Sequence, residues 1–236
     1  MLWLRSFLFT LGMWVVTPIY ALIAILTFPL PPISRYKIIS GWARTILWWL
    51  AFTCGIRYRV IGQENIPVEP GIILCKHQSA WETLALQQIF PPQVWVLKRE
   101  LLWLPFFGWG LAMTSPIAIQ RSAGREALKQ MVSQGKDRLK KGFFVVIFPE
   151  GTRVSPGTKG KYHIGGAWLA THTQTKVTPV AHNAGEFWGK NAFVKKSGLI
   201  TLSIGQPIAT TDLKPEALNQ QVESWIEQEM ARLPEL

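Results

Sequence analysis

Between Ser6 and Ser34 the chain carries no charged side chain. A helix needs roughly 20 apolar residues to cross a hydrocarbon core, so this run is long enough to span a bilayer or to lie along one. Pro18 falls inside it, and Pro29, Pro31 and Pro32 close it. A kink near Pro18 and a stop by Pro29 are expected, because proline removes a backbone donor and restricts the residue before it. Trp3, Trp14 and Tyr20 have the mixed apolar and polar character that suits the headgroup level. A second apolar stretch, 38–55, is broken only by Arg44 and contains Trp42, Trp48, Trp49 and Phe52. It reads as a second membrane helix or as an interfacial helix whose Arg44 reaches the headgroups. The two stretches are expected to form a helical hairpin dipping into one leaflet, with a single span by the first as the alternative. The apolar run exceeds the h-region of about 7–15 residues in a cleaved signal peptide, which disfavours that reading.

Charge placement narrows the partners. The formal net charge is +11, which calls for anionic partners. No Asp or Glu precedes Glu64, whereas Arg5, Arg35, Lys37, Arg44, Arg57 and Arg59 all do. Nucleic-acid binding gathers basic residues on a polar face. Here they punctuate apolar runs, which points to membrane lipids and away from nucleic acid. Cys54 and Cys75 are too few for a disulfide framework and show no metal-ligand spacing; Cys75 lies in an apolar run and reads as buried.

From residue 57 the pattern becomes an α/β alternation. Strands are expected at 57–61, 71–76, 94–97, 143–148, 176–181 and 198–204, and helices at 79–90, 125–141, 164–173 and 216–232. The expected organisation is an N-terminal hydrophobic two-helix membrane anchor, 1–56, and one α/β domain, 57–236, long enough for one sizeable core.

Two short segments carry chemistry. His77 directly follows an expected strand and stands five residues before Glu82. On one regular helix that spacing places the two side chains about 140° apart. They can meet only if His77 is outside the helix and Glu82 is in its first turn, as with Ser79 at the N-cap. Glu82 would then fix the tautomer of His77, leaving the other ring nitrogen to take a proton from a hydroxyl. The same residues, Ser79 to Glu82, also form a capping box in which Glu82 only reaches back to the Ser79 amide. The segment alone fits both. The second segment is Phe148-Pro149-Glu150-Gly151-Thr152-Arg153, at the end of an expected strand. Gly151 permits a tight turn with positive φ, and Arg153 offers planar donors that match phosphate oxygens. Alone, it also reads as a surface turn.

Taken in order, these segments resemble the conserved blocks of the bacterial 1-acylglycerol-3-phosphate (lysophosphatidic acid) acyltransferases. His77 and Glu82 match the first block. Lys98, Glu100, Leu101, Pro105 and Gly108, ending in Ile119-Gln120-Arg121, match the second in part. Phe148 to Arg153 matches the third, and Val177-Thr178-Pro179-Val180 the fourth. The match covers roughly residues 70–185, and four blocks in order are a specific signal. Glu82 stands where the family usually has Asp, and Gln120 where Asp is common.

The resemblance implies a glycerolipid-acyltransferase-like α/β fold: a mixed sheet flanked by helices, behind a helical membrane anchor. It implies that His77, oriented by Glu82, activates the free hydroxyl of a lysophosphatidic acid for direct attack on an acyl thioester. Lys98, Arg121 and Arg153 would hold the phosphate, Glu150 would contact the glycerol portion, and backbone donors near Gly151 could stabilise the oxyanion. Gly151 and Thr152 belong to the same substrate-binding turn. The donor would be acyl-CoA or acyl-carrier protein, with no cofactor and no metal. The expected location is a bacterial inner membrane, with the catalytic domain on the cytoplasmic side. Other readings are a different lysophospholipid or acylated-amine acceptor, or a non-catalytic lipid-binding protein.

Three further expectations concern residues outside the blocks. His182 and Glu186, in a loop after a strand, read as acceptor-pocket or structural residues. His163 and His172 lack the paired-histidine spacing of a zinc helix. Trp103, Phe106, Phe107 and Trp109 are candidates for the wall of an apolar tunnel.

Overall fold

In the computed structural model of this chain, residues 1–234 are described, the Arg121 side chain excepted. Helix α1, Leu2–Leu26, passes through Pro18 as one helix and ends ahead of Pro29. It is long and apolar enough to cross a membrane. Pro32 then opens α2, Pro32–Ile39, at a position where a missing N–H leaves no bond unmade. Helix α3, Gly41–Cys54, ends on Gly55 in the left-handed region, φ 69°. The stretch expected to hold two helices therefore holds three.

The α/β part follows as β1 (Ile56–Ile61), β2 (Ile72–Cys75), α4 (Trp81–Ile89), β3 (Gln93–Lys98), α5 (Phe107–Met113) and β4 (Ile117–Ile119). Then come α6 (Arg125–Lys140), β5 (Phe144–Ile147), α7 (Gly165–Thr173), β6 (Val177–His182), α8 (Ala184–Phe187), β7 (Gly198–Ile204) and α9 (Pro215–Met230). The expected strands and helices are all present. Strand β4 and helix α5 were not expected, because three and seven residues are too few to show a period.

One seven-stranded mixed sheet runs in the order β1-β7-β6-β2-β5-β3-β4. Strands β2 to β6 are parallel, β7 is antiparallel to β6, and β1 is parallel to β7. The C-terminal ends of five neighbouring strands thus share one edge, where ligands of open α/β sheets bind. Pro179 is tolerated inside β6 because its carbonyl side faces Gly205, just beyond the register of β6 with β7. The missing N–H faces the same residue, so it forgoes at most one bond at the end of the ladder.

Alternation along the strands supplies both layers. Ile73, Leu97, Val146 and Val180 pack beneath Phe9 of α1, Ile46 and Leu50 of α3, and Leu86 of α4. Ile72, Leu74, Val145 and Val177 face the other way, against Met131 of α6, Leu169 of α7, and Val222 and Ile226 of α9. Residue 56 is the first of β1, and the helices before it have no separate core: α1 and α3 pack in one cluster with the sheet's own residues. The opposite face of α1 leaves Trp3, Phe7, Leu11, Trp14, Ile19 and Leu22 exposed. An apolar patch of that extent marks a membrane or partner surface.

Leu50 is 1% exposed in the core shared by α3 and the sheet. Leu50→Ala should therefore lower the stability of the whole α/β fold by about 2–5 kcal/mol, in urea unfolding followed by tryptophan fluorescence in detergent. A loss confined to membrane binding, with unfolding unchanged, would show that α3 is an appended anchor.

Candidate active site

His77 is carried by the short segment between β2 and α4. Helix α4 begins at Trp81, with Ala80 in the cap position, one residue later than a cap at Ser79 would place it. The Ser79 hydroxyl instead accepts the Trp81 N–H at 3.1 Å. The later start leaves His77 outside the helix and Glu82 in its first turn. Nδ1 of His77 lies 2.7 Å from Oε1 of Glu82. The same carboxylate accepts the N–H groups of Gln78 (3.0 Å) and Ser79 (2.9 and 3.1 Å). The two readings of this segment are thus both true: Glu82 caps the turn and also holds the imidazole.

Glu82 is fully buried. Burial pushes its carboxyl up, but the facing His182, the His77 contact and the Ser79 amide together hold it below its ordinary 4.5. An ionised Glu82 must receive a proton from Nδ1, which leaves the lone pair of His77 on Nε2. The imidazole also stacks on Phe148, with centroids 4.0 Å apart and planes at 15°. Its rotation is thereby blocked from the side.

The second segment locks onto the first. The His77 N–H donates to Glu150 Oε2 at 2.7 Å, and the Val154 N–H donates to the His77 carbonyl at 2.8 Å. Gly151 has φ 68°, the positive value the sequence called for, and its N–H closes the turn on the Phe148 carbonyl at 3.0 Å. That amide is therefore committed to the turn. Glu150 departs from its expected place. Its side chain is fully buried, 2.7 Å from Lys76 Nζ, and does not line the cavity. Burial pushes its carboxyl up against the opposing pull of Lys76.

A cavity of about 480 Å³ opens beside His77, within the size range of small-molecule sites. Gly151, Thr152, Arg153 and Lys98 line it. No salt bridge joins Arg153 or Lys98 to another described residue. The cavity's apolar walls come from Thr17 and Tyr20 of α1, Trp42 of α3, Trp95 of β3, and Phe107 and Leu111 of α5. Phe106 also lines it, whereas Trp103 and Trp109 do not and are exposed. Arg121 opens a short turn after β4, at the same edge; its side chain lies outside the described residues. Among the described residues no cluster of three or more His, Cys, Asp or Glu could hold a metal. Both cysteines are free and buried.

Sequence reasoning missed several residues here. Lys190 and Asn191, in the loop after α8, complete the cavity wall. They lie in no motif, and only the position of their loop beyond β6 reveals them. His182 proves structural: it is buried, its Nε2 donates to the Lys76 carbonyl at 2.9 Å, and its Nδ1 accepts the Ala184 N–H at 3.2 Å. That pattern defines one neutral tautomer. Lys76 itself gave one signal, a charge at the end of an apolar strand.

A histidine held by a carboxylate at the strand edge, beside an apolar cavity with basic residues at its wall, is an arrangement on an α/β fold that can take a proton from a bound hydroxyl. Comparison with known proteins is specific. The Acyltransferase family matches residues 57–183, and the chain belongs to that family. The 1-acyl-sn-glycerol-3-phosphate acyltransferase of Pseudomonas aeruginosa is 47% identical over 208 residues, covering 86% of this chain and 81% of that one. The enzyme of the same name from Saccharomyces cerevisiae is 29% identical, over 77% of this chain and 61% of its own length. The crystal structure of the 1-acyl-sn-glycerophosphate (LPA) acyltransferase PlsC from Thermotoga maritima superposes with a TM-score of 0.80. It covers 98% of this chain and 97% of that one at 22% identity, and shares the fold.

Buried His182 makes the fold sensitive to acid. Burial holds its pKa below the ordinary 6.5, against the pull of Glu82. Below pH 6.5 the unfolded chain protonates this side chain while the folded chain does not, so stability falls as pH drops towards the folded value. Glu82, also lowered, adds a loss in the same direction below about pH 4.5. Glu150, raised by burial, works the other way. The melting temperature should therefore fall less between pH 7 and about pH 5.5 in His182→Gln than in the parent. Equal slopes would show that His182 is not the neutral buried group.

Proposed function

We propose that this acyltransferase transfers an acyl group from an acyl thioester to the free hydroxyl of a 1-acylglycerol 3-phosphate, giving phosphatidic acid. The observation that carries the reading is the His77–Glu82 pair, set at the mouth of an apolar cavity whose wall also holds Arg153. The Pseudomonas relative, which bears the name of this activity, supports it.

Nε2 of His77 takes the hydroxyl proton as the hydroxyl oxygen attacks the thioester carbonyl. The imidazolium so formed is stabilised by Glu82, which stays ionised. As the tetrahedral intermediate collapses, the C–S bond breaks and the proton passes from Nε2 to the leaving thiolate. No covalent enzyme intermediate is required, and the steps as written need no cofactor. Arg153 and Lys98, whose cationic groups have no carboxylate partner among the described residues, hold the acceptor's phosphate, and Arg121 is the third cation that the resemblance implies. The acyl chain occupies the apolar walls formed by Tyr20, Trp42 and Phe107.

The same cavity argues for the location. Its walls include α1 and α3, so an acyl chain in it lies at the level of the anchor. Residues 1–56 act as that anchor, with the exposed face of α1 in the lipid, and the basic residues among the apolar runs meet anionic headgroups. This suits a bacterial inner membrane, with the catalytic edge on the cytoplasmic side, where acyl-CoA or acyl-carrier protein is supplied.

Purified protein in detergent, given lysophosphatidic acid and a labelled acyl thioester on either carrier, tests the reading. His77→Ala should lower kcat by about 10²–10⁴-fold. Unchanged transfer would sink the base assignment. A parent protein that transfers to no acceptor in a panel would point to a lipid-binding protein, and one that prefers another lysophospholipid would reassign the acceptor. Arg153→Ala should lower kcat/KM for lysophosphatidic acid by about 10–100-fold and leave an uncharged acceptor nearly unaffected, the worth of a lost charged hydrogen bond. Equal losses for both acceptors would remove Arg153 from the phosphate.

A further inference from the structure

Behind His77 lies a buried ion cluster that the transfer steps do not use. The Lys76 side chain is 1% exposed, and its Nζ lies 2.7 Å from Glu150 Oε1 and 2.8 Å from Glu227 Oε1. Glu227 belongs to the last turn of α9, on the face of the sheet opposite the anchor helices. The Tyr162 hydroxyl donates to the same Glu227 oxygen at 2.7 Å. Glu150 passes the connection forward, because its second oxygen accepts the His77 N–H. A continuous path of short polar contacts thus joins the C-terminal helix to the backbone of His77.

Stability is a weak reason for this cluster. Desolvating one ammonium and two carboxylates costs several kcal/mol, and packed apolar side chains commonly do as well or better. Its distinctive consequence is geometric. Glu150 is turned inward by Lys76 and covered by Gly160, where a Cβ would stand 3.1 Å from Glu150 Cγ. So placed, Glu150 holds the peptide from which the His77 ring projects. The Lys76 carbonyl, at the preceding peptide, is held by His182.

We propose that Lys76 and Glu227 are positioning residues for the reaction. They hold Glu150 inward so that its carboxylate fixes the His77 backbone, and Glu150 acts from behind the histidine without touching substrate. This rests on the reading of His77 as the base. The acceptor hydroxyl must meet Nε2 within hydrogen-bond reach, and a misplacement of about 1 Å can cost on the order of a hundredfold in rate. Groups that orient a working side chain commonly contribute about 10–100-fold.

Steady-state kinetics on the full-length protein decide the matter, with the parent and His77→Ala run alongside. Glu150→Gln and Lys76→Met should each lower kcat about 10–100-fold, with both KM values within about twofold of the parent. The double variant should be no slower than the slower single variant, because the two side chains act as one unit. A rise in acceptor KM at preserved kcat in Glu150→Gln would place Glu150 on the substrate and overturn the proposal. Additive losses would overturn it too, since independent roles multiply. Should Lys76→Met fail to fold, Glu227→Gln decides: it retains an acceptor for Tyr162, and its parent side chain is 24% exposed. A lowered kcat at unchanged KM then supports the proposal, and an unchanged kcat sinks it. If the parent lacks transfer, or His77→Ala keeps it, the reading of His77 fails instead, and that result is distinct.

Discussion

Two loops at one edge of the sheet hold each other, and the site depends on that embrace. The His77 N–H reaches Glu150, the His77 carbonyl takes the Val154 N–H, and the imidazole lies flat on Phe148. Every polar group of the His77 backbone is therefore bonded to the segment that follows β5. Strands β2 and β5 are neighbours in the sheet, so the embrace needs no long excursion from either loop. Glu82 then supplies the remaining restraint from within α4. A histidine tied at its N–H, its carbonyl and one ring nitrogen has a single position for the other nitrogen, which is what a general base requires.

The apolar N-terminus serves the same edge from above. Helices α1 and α3 cover one face of the sheet with Phe9, Ile46 and Leu50, and also wall the cavity with Tyr20 and Trp42. One set of helices thus seals the core, shapes the apolar part of the site, and presents an exposed apolar surface. Removal of α1 and α3 would take away a wall of the cavity as well as a layer of the core. That coupling suits chemistry in which one reactant portion is hydrocarbon and the other carries charge.

Much of this was legible in the chain. The strands that form the sheet's centre are apolar runs, legible as buried strands, while which side chains face which layer came from the structure. The charged blocks at His77–Glu82 and Phe148–Arg153 were each ambiguous alone, and it was their order along the chain, with the Lys98–Arg121 segment between them, that singled them out. Strand β4 and helix α5 escaped notice, being too short to carry a period; they exist because β3 offers an edge and α1 a surface. Glu150 was placed on the substrate side because motif order says which residues gather and is silent on which way each one turns. Lys76, Tyr162 and Glu227 escaped for a similar reason. The last two stand 65 residues apart, and no local pattern joins either of them to the histidine.

By itself the sequence determined which residue types are at hand and how they are spaced: a histidine, a carboxylate five residues on, basic residues, and a long apolar N-terminal run. Those are properties of residue type and local spacing, which follow from backbone geometry over a few positions. Only the tertiary structure decided the division of labour among the carboxylates. Glu82 faces the ring of His77, Glu150 faces its backbone, and Glu227 arrives from the far layer to share Lys76. Direction in space depends on strand order and on which helix covers which face, and these are settled by the packing of the whole chain around one sheet.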